Sequence, residues 1–280
     1  MMRIKIFLLL FLFSCGNEEI TPAEEPSAFR GIKTISYNNV NVDVVIDKPA
    51  KKELDVLLVF HGTVQYDSVI LNAANNTLEK FKEILDNKDM MIVSVAYPQE
   101  KILFGDNIVQ AEAALLWLKN KAGEELGATI KKIFLGGHSQ GGYVVTRLNT
   151  MHKTNGVIAN APGPLNLVYR CNLEENGQIP AGAVCTKLRN EYGTTLANPD
   201  AYFDRSLLNF TDGFTSDILF VQGLNDAPIQ MYSWPVFKQE IIDCTDCQGR
   251  LIVEIPGGEH ASLFSSPIAK TEFNAFINNR

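Results

Sequence analysis

The sequence predicts an α/β protein: a doubly wound, mostly parallel sheet with helices on both faces, and a short disulfide-stapled insertion over the strands' carboxyl edge. Three observations lead there. Apolar runs of strand length alternate along the chain with longer stretches of helical periodicity. Most of those runs are continuously apolar, as strands buried on both faces must be. And the junction "GGHSQGG" packs four glycines around His-Ser-Gln, which forces the backbone where side chains do not fit.

Taken in order, "KTISYNNVNVDVVID" alternates with period two around an Asn-Asn break and predicts a hairpin. "LDVLLVF" (54–60) is a buried strand, and a helix is expected over Ser68 to Leu85, where Leu78, Phe81, Ile84 and Leu85 fall three and four apart. "MMIVSVAYP" is the next strand, followed by a helix through "NIVQAEAALLWLKNKAG" with Asp106 as its expected N-cap. "KKIFLGG" and "QGGYVVTRLNTMH" repeat the pair. "GVIANAP", "DILFVQG" and "RLIVEIPGG" are three more strands, with helices near Met231 to Ile242 and Pro267 to Ile277. Only 162–214 breaks the rhythm. A structureless loop of that length is uncommon, so it is expected to be an insertion of short helices lying over one end of the sheet.

The N-terminus is expected to lie outside this domain. Arg3 and Lys5 precede an apolar run, Ile6 to Phe13, that is shorter than the about 20 residues a membrane span needs. Residues 1–14 therefore have the pattern of a signal peptide. "LFSC" resembles the bacterial lipobox and makes Cys15 the expected lipidation site, with a plain secretory signal cut near Ser14 as the alternative. Residues 15–30 are then a lipidated cysteine and an acidic, flexible tether, and 31–280 the folded domain. Acidic residues soon after Cys15 resemble the surface-export signals of Bacteroidetes lipoproteins. The expected location is the cell envelope, anchored by lipid to the outer membrane and exposed at the surface; the alternatives are periplasmic or secreted.

An apolar fraction of 46% with 20% charged residues is that of a globular protein with a sizeable core. A net charge of −7 argues against a nucleic-acid partner. Once Cys15 is set aside, the other four of the five cysteines suggest two disulfides in an exported chain. The least tangled pairing is Cys171 with Cys185 and Cys244 with Cys247. A zinc site is the rival because Cys244 and Cys247 have CxxC spacing, but no second CxxC completes it.

"GHSQG" (137–141) fits G-x-S-x-G, a sharp strand-to-helix turn that projects Ser139 above the sheet edge. Such a serine needs a base, and the chain offers four histidines. His138 neighbours Ser139 in the turn and is expected to point away. His61, in "HGT", is better placed to shape the opposite wall and is a candidate substrate-binding residue. His152 ends the helix after Ser139, roughly 20 Å off. His260, in the loop after the last strand, returns to the carboxyl edge and is the expected base. Asp226, on the loop after the preceding strand, is the expected partner that fixes its tautomer. Gln140 N–H and Thr63 N–H, beside Gly62, are the expected oxyanion donors. Tyr66 and Tyr143 are further candidate substrate-binding residues, and Phe104 and Trp234 candidate lining. No metal or organic cofactor is expected.

The order Ser139, Asp226, His260 resembles the α/β-hydrolase superfamily across essentially the whole mature chain. The likeness is greatest to prolyl oligopeptidase-type and dienelactone-hydrolase-like serine hydrolases. "AEAALLWLKNKAG" through "IKKIFLGGHSQGG" looks like their approach to the elbow. "LRNEYGTTLANPDAYFDRSLLNF", "DILFVQGLND" and "MYSWPVFKQEI" look like their approach to the acid. Two departures, no β-propeller and GHSQG in place of a GGSYG-like elbow, shift the expectation from peptides to carboxylic esters. The resemblance thus implies a serine ester hydrolase acting on a small-molecule or polymer-linked ester. An exported serine peptidase, or a binding lipoprotein that has lost catalysis, are the alternatives.

Overall fold

The computed structural model describes residues 26–280. Cys15 and the signal and tether residues up to 25 lie outside the described residues. The first strand, β1 (Phe29–Tyr37), is joined to β2 (Val40–Lys48) by the Asn-Asn turn. Asn38 and Asn39 have φ of 50° and 63°, the pair of left-handed residues a tight hairpin requires. The remaining strands are β3 (Glu53–Phe60), β4 (Met91–Ala96), β5 (Thr129–His138), β6 (Gly156–Asn160), β7 (Ile218–Gly223) and β8 (Arg250–Ile255). They form one eight-stranded sheet in the order β1-β2-β4-β3-β5-β6-β7-β8. The β1–β2 and β2–β4 pairs are antiparallel and every other pair is parallel. The sequence expectation of a mostly parallel sheet is met.

Period-two alternation sorts the strand side chains into two cores. Val56, Leu58 and Phe60 face one and Leu57 and Val59 the other. On the Leu57 face pack α1 (Ile70–Ile84), through Leu78, Phe81 and Ile84, and α10 (Pro267–Asn278), through Phe273 and Phe276. On the opposite face pack α2 (Ile108–Asn120), α4 (Gln140–Met151) and α8 (Pro228–Asp243). A short helix, α3 (Ala122–Glu125), follows α2, and another, α9 (Ser262–Ser265), precedes α10. The expected N-cap of α2 is corrected. Asn107, not Asp106, holds the cap position, without a side-chain hydrogen bond. Asp106 instead pairs with Arg205 at 2.9 Å, so a contact from the distant insertion decides its direction.

Residues 162–214 contain α5 (Leu167–Glu175), α6 (Ala183–Tyr192) and α7 (Pro199–Phe203). The Cys171–Cys185 disulfide joins α5 to α6, and Cys244–Cys247 closes the turn after α8. Both expected pairings are present, which leaves no thiolate of these four for zinc. The insertion is tied to the loop after β4, where Lys187 Nζ donates to the carbonyls of Gln99 (2.9 Å) and Glu100 (2.5 Å).

Between β5 and α4 the chain turns at Ser139, which has φ 57° and ψ −118°. Neighbouring backbone crowds this turn. A Cβ on Gly137 would lie 2.1 Å from the Gly141 carbonyl oxygen, and one on Gly141 2.0 Å from that of Phe60. Helix propensity alone favours Gly141→Ala by about 1 kcal/mol. The close approach reverses the sign, since α4 and β3 must part to admit the methyl. We expect Gly141→Ala to cost about 3 kcal/mol, as overpacking does. A urea midpoint equal to or above that of the parent protein would contradict this.

Candidate active site

Ser139, Asp226 and His260 come from three elements that end at the same sheet edge. Ser139 follows β5, Asp226 lies just beyond β7, and His260 lies in the loop between β8 and α9. Parallel pairing aligns the strand ends, and Asn225 N–H donates to the Gly258 carbonyl at 2.7 Å, locking the last two loops together. All three residues line one cleft of about 440 Å3, with Thr63, Arg170 and Gln230.

His260 Nδ1 lies 2.8 Å from Asp226 Oδ2. The Asp226 side chain is 2% exposed and that of His260 43%. A carboxylate only accepts, so Nδ1 carries the proton and Nε2 keeps its lone pair. Asp226 Oδ2 also accepts from Gln222 Nε2 (3.0 Å), and Oδ1 from the Ala227 N–H (2.6 Å). Burial pushes the Asp226 carboxyl up, but hydrogen bonds from His260 and Gln222, the His260 charge and the Ala227 N–H outweigh it. The pKa ends below the ordinary carboxylate value. Among the described residues the Ser139 hydroxyl has no hydrogen-bond partner. Catalytic hydrogen bonds of this kind often tighten only around substrate.

The two expected oxyanion donors flank the serine. A Cβ on Gly62 would lie 3.4 Å from that of Ser139, so the Gly62–Thr63 backbone passes directly beside it. Gln140 opens α4, where the first N–H groups have no acceptor within the helix. Thr63 Oγ1 donates to Gln140 Oε1 at 2.9 Å, tying the two residues together. The Thr63 loop is held from the other side by Gln99, whose Oε1 accepts from Val64 N–H at 3.0 Å.

The other histidines are not competing bases. His152 pairs with Glu112 at 2.7 Å, away from the cleft. His61 is buried and stacked on Tyr97, with ring centroids 4.2 Å apart. Its Nδ1–H donates to the Gly62 carbonyl at 2.7 Å, and desolvation lowers its pKa from 6.5 to about 4. With Gly62, Thr63 and Ser139 it lines a second cleft on the α1 side. His138 does not simply point away from the site: its ring centroid lies 4.9 Å from that of His260. The Asn160 amide donates to His138 Nδ1 at 2.8 Å, while Asn160 Oδ1 accepts from Leu263 N–H at 3.3 Å. Desolvation, then the charges of His260 and Lys80, lower the His138 pKa to about 4. A neutral ring therefore braces the expected base.

Two expected substrate-binding residues are not brought to the site. Tyr143 is fully buried among Phe104, Phe210 and Arg147, because its position on α4 faces the core rather than the cleft. Tyr66 is half exposed before the turn at Asp67 and lines neither cleft beside Ser139. Trp234 is also core, donating to Glu254 at 2.7 Å. Phe104 is buried and lines a small cavity behind Thr63 and Gln140. Sequence reasoning missed the buried amides. Gln230 Nε2 donates to Gln222 Oε1 (3.2 Å) and to the Pro162 carbonyl (2.8 Å), which completes a chain ending on Asp226. The available signal was the lone polar residue in the apolar run "ILFVQG". A buried amide needs partners.

No family model matches the chain, and no curated protein matches its sequence. Solved structures do match in shape. Est1E from Butyrivibrio proteoclasticus is 14% identical, with 89% of this chain and 98% of that one covered and a TM-score of 0.63. A hyperthermophilic esterase from the archaeon Pyrobaculum calidifontis is 15% identical over 91% of this chain and 84% of its own, with a TM-score of 0.65. The Pyrococcus horikoshii acylaminoacyl peptidase is 15% identical over 91% of this chain but 41% of its own, at 0.60. At these identities the likeness is one of fold, and the chain has the α/β-hydrolase fold.

The two buried neutral histidines make stability depend on pH. Unfolding restores their ordinary pKa of 6.5 against about 4 in the folded chain. Between those values the unfolded state binds more protons, so stability is full above about pH 6.5 and falls as pH drops toward 4. The slope reaches about 1.4 kcal/mol per pH unit for each histidine. Asp226, depressed in the folded state, adds its loss only at more acid pH. Urea midpoints at pH 7, 6 and 5 should decline, with a shallower decline in His138→Gln; a flat profile would refute the assignment of both rings as neutral.

Proposed function

We propose that this chain is a serine hydrolase of carboxylic esters, working through an acyl-enzyme. The observation that carries the reading is a serine in a left-handed turn, opening on the same cleft as a histidine whose Nδ1–H is held by a buried carboxylate. Ser139 Oγ attacks the ester carbonyl carbon as His260 Nε2 takes its proton. The carbonyl oxygen becomes an oxyanion beside the N–H groups of Gln140 and Thr63, where fixed dipoles stabilise it without reorganisation. His260 then returns the proton to the departing alkoxide, leaving Ser139 acylated. Water attacks that acyl group, His260 accepts a proton from it, and collapse frees the acid and restores the serine hydroxyl. Asp226 holds the ring and stabilises its cation without taking the proton.

Ester rather than peptide is favoured by the GHSQG elbow; an exported peptidase would use the same three residues. We further propose that Cys15 carries the lipid and anchors the domain to the cell envelope. Cys15→Ala should then shift the protein from the membrane to the soluble fraction, and retention in the membrane would reject the anchor.

The chemistry is tested with p-nitrophenyl esters of rising acyl length beside a prolyl p-nitroanilide peptide. We expect ester turnover and fluorophosphonate labelling that Ser139→Ala abolishes, with kcat down by about 10⁴-fold or more. Asp226→Asn should lower kcat by about 10²- to 10⁴-fold. Anilide turnover would move the protein to the peptidases, and silence on both substrates without labelling would end the catalytic reading.

A further inference from the structure

Arg170 and Ile229 line the cleft that holds Ser139, and their near neighbours in sequence, Tyr169 and Tyr232, line a second groove of about 390 Å3. Two rings form one side of it. Tyr169 on α5 and Tyr232 on α8 stack with centroids 3.8 Å apart and planes 15° from parallel. Tyr232 is 62% exposed, and Leu196, which also lines the groove, is 89% exposed. An exposed leucine and a partly exposed aromatic stack lining one groove leave apolar surface in water.

The rim is of a different chemistry. Asn166 Oδ1 accepts from Tyr169 N–H at 2.9 Å, so its amide hydrogens point elsewhere and find no acceptor among the described residues. Asn172 Nδ2 donates weakly to Thr195 Oγ1, at 3.3 Å, and Glu175 fixes that hydroxyl from below at 2.7 Å. No charged side chain lines the groove. Apolar faces edged by neutral amides and a hydroxyl match a ring that presents C–H on its faces and hydroxyls round its edge. A lipid chain would leave these amides unpaired, which is costly. A charged peptide would find no partner.

The placement relative to Ser139 gives the groove its meaning. Tyr169 and Arg170 on α5 lie three and four residues after its N-cap, Asn166, and on α8 Ile229 and Tyr232 are three apart and share one face. Arg170 and Ile229 line the catalytic cleft, so each helix carries the two sites side by side.

We propose that this groove is a carbohydrate subsite: a sugar ring lies between the Tyr169–Tyr232 stack and Leu196 while an acyl ester on the same glycan lies at Ser139. The reading names the substrate class of the proposed esterase and rests on that assignment for its catalytic half. Binding of the sugar does not depend on it.

The test uses O-acetylated tetrasaccharides of gluco, xylo, manno and galacto configuration, with p-nitrophenyl acetate as the small ester. Tyr232→Ala and Leu196→Ala should raise KM for the preferred acetylated tetrasaccharide about tenfold, the scale of losing one ring face of apolar contact. The same variants should leave turnover of p-nitrophenyl acetate within about twofold. Independently, Ser139→Ala should bind that tetrasaccharide in an NMR titration, and Ser139→Ala combined with Tyr232→Ala should not. Binding that depends on Tyr232 in a protein that hydrolyses neither ester would keep the groove and reject the esterase. Binding of none of the four glycans, binding indifferent to Tyr232, or equal losses on both substrates would overturn the subsite.

Discussion

The site depends on how closely α4 approaches the ends of β3 and β5. The Gly141 Cα stands so near the Phe60 carbonyl that no side chain fits between them. That approach brings the first turn of α4 beside the loop that leaves β3, so the N–H groups of Gln140 and Thr63 fall on one side of Ser139. It also drives Ser139 into φ 57°, a conformation costing on the order of 1–3 kcal/mol unless its surroundings enforce it. Those surroundings are specific. Ser139 N–H donates to the Asn160 carbonyl at 2.9 Å, and its own carbonyl accepts from Gly163 and Tyr143. The strain is thus held by β6 and by the start of the insertion as well as by the turn itself.

The electrostatics of the cleft follow a similar economy. A carboxylate that is 2% exposed cannot stay ionised on its own. Asp226 stays ionised because three donors surround it, and the Gln222–Gln230–Pro162 chain fixes the orientation of one of them. Two of the histidines near Ser139, His61 and His138, are neutral through burial. A second cation beside His260 would oppose the charge that His260 takes up in the proposed mechanism, so a neutral His138 packed on it suits that role better than a charged one.

Much of this was legible in the sequence because it rests on local constraints. Continuous apolar runs such as "LDVLLVF" can only be strands covered on both faces, and glycines two before and two after Ser139 have a steric meaning wherever they occur. Chain order and topology then place Asp226 and His260 at the same edge. The features that were not legible depend on partners far away in sequence. Tyr143 is core because Phe210 and Phe104 cover it, Asp106 turns to Arg205, and His138 meets His260 only once β8 and its loop are in place. In a turn as tight as that at Ser139, alternation does not by itself say what a neighbouring side chain touches.

The division of labour between sheet and insertion bears on substrate choice. Every group given a role in the proposed chemistry comes from the end of a strand, the loop that follows one or the first residue of α4, next to the close-packed sheet. The far wall of the cleft comes instead from Pro164, Arg170 and the start of α8. The insertion is not free to swing: Cys171–Cys185 joins its first two helices, Lys187 reaches the loop after β4, and Arg205 reaches Asp106. Those ties sit at separate points on the insertion, and the Tyr169–Tyr232 stack adds a contact between α5 and α8. A wall held in this way would, in the proposed esterase, select by preformed shape rather than by closing over its ligand. On the proposed reading, specificity would lie in the side chains of α5 and α8, which are separate from the turn at Ser139.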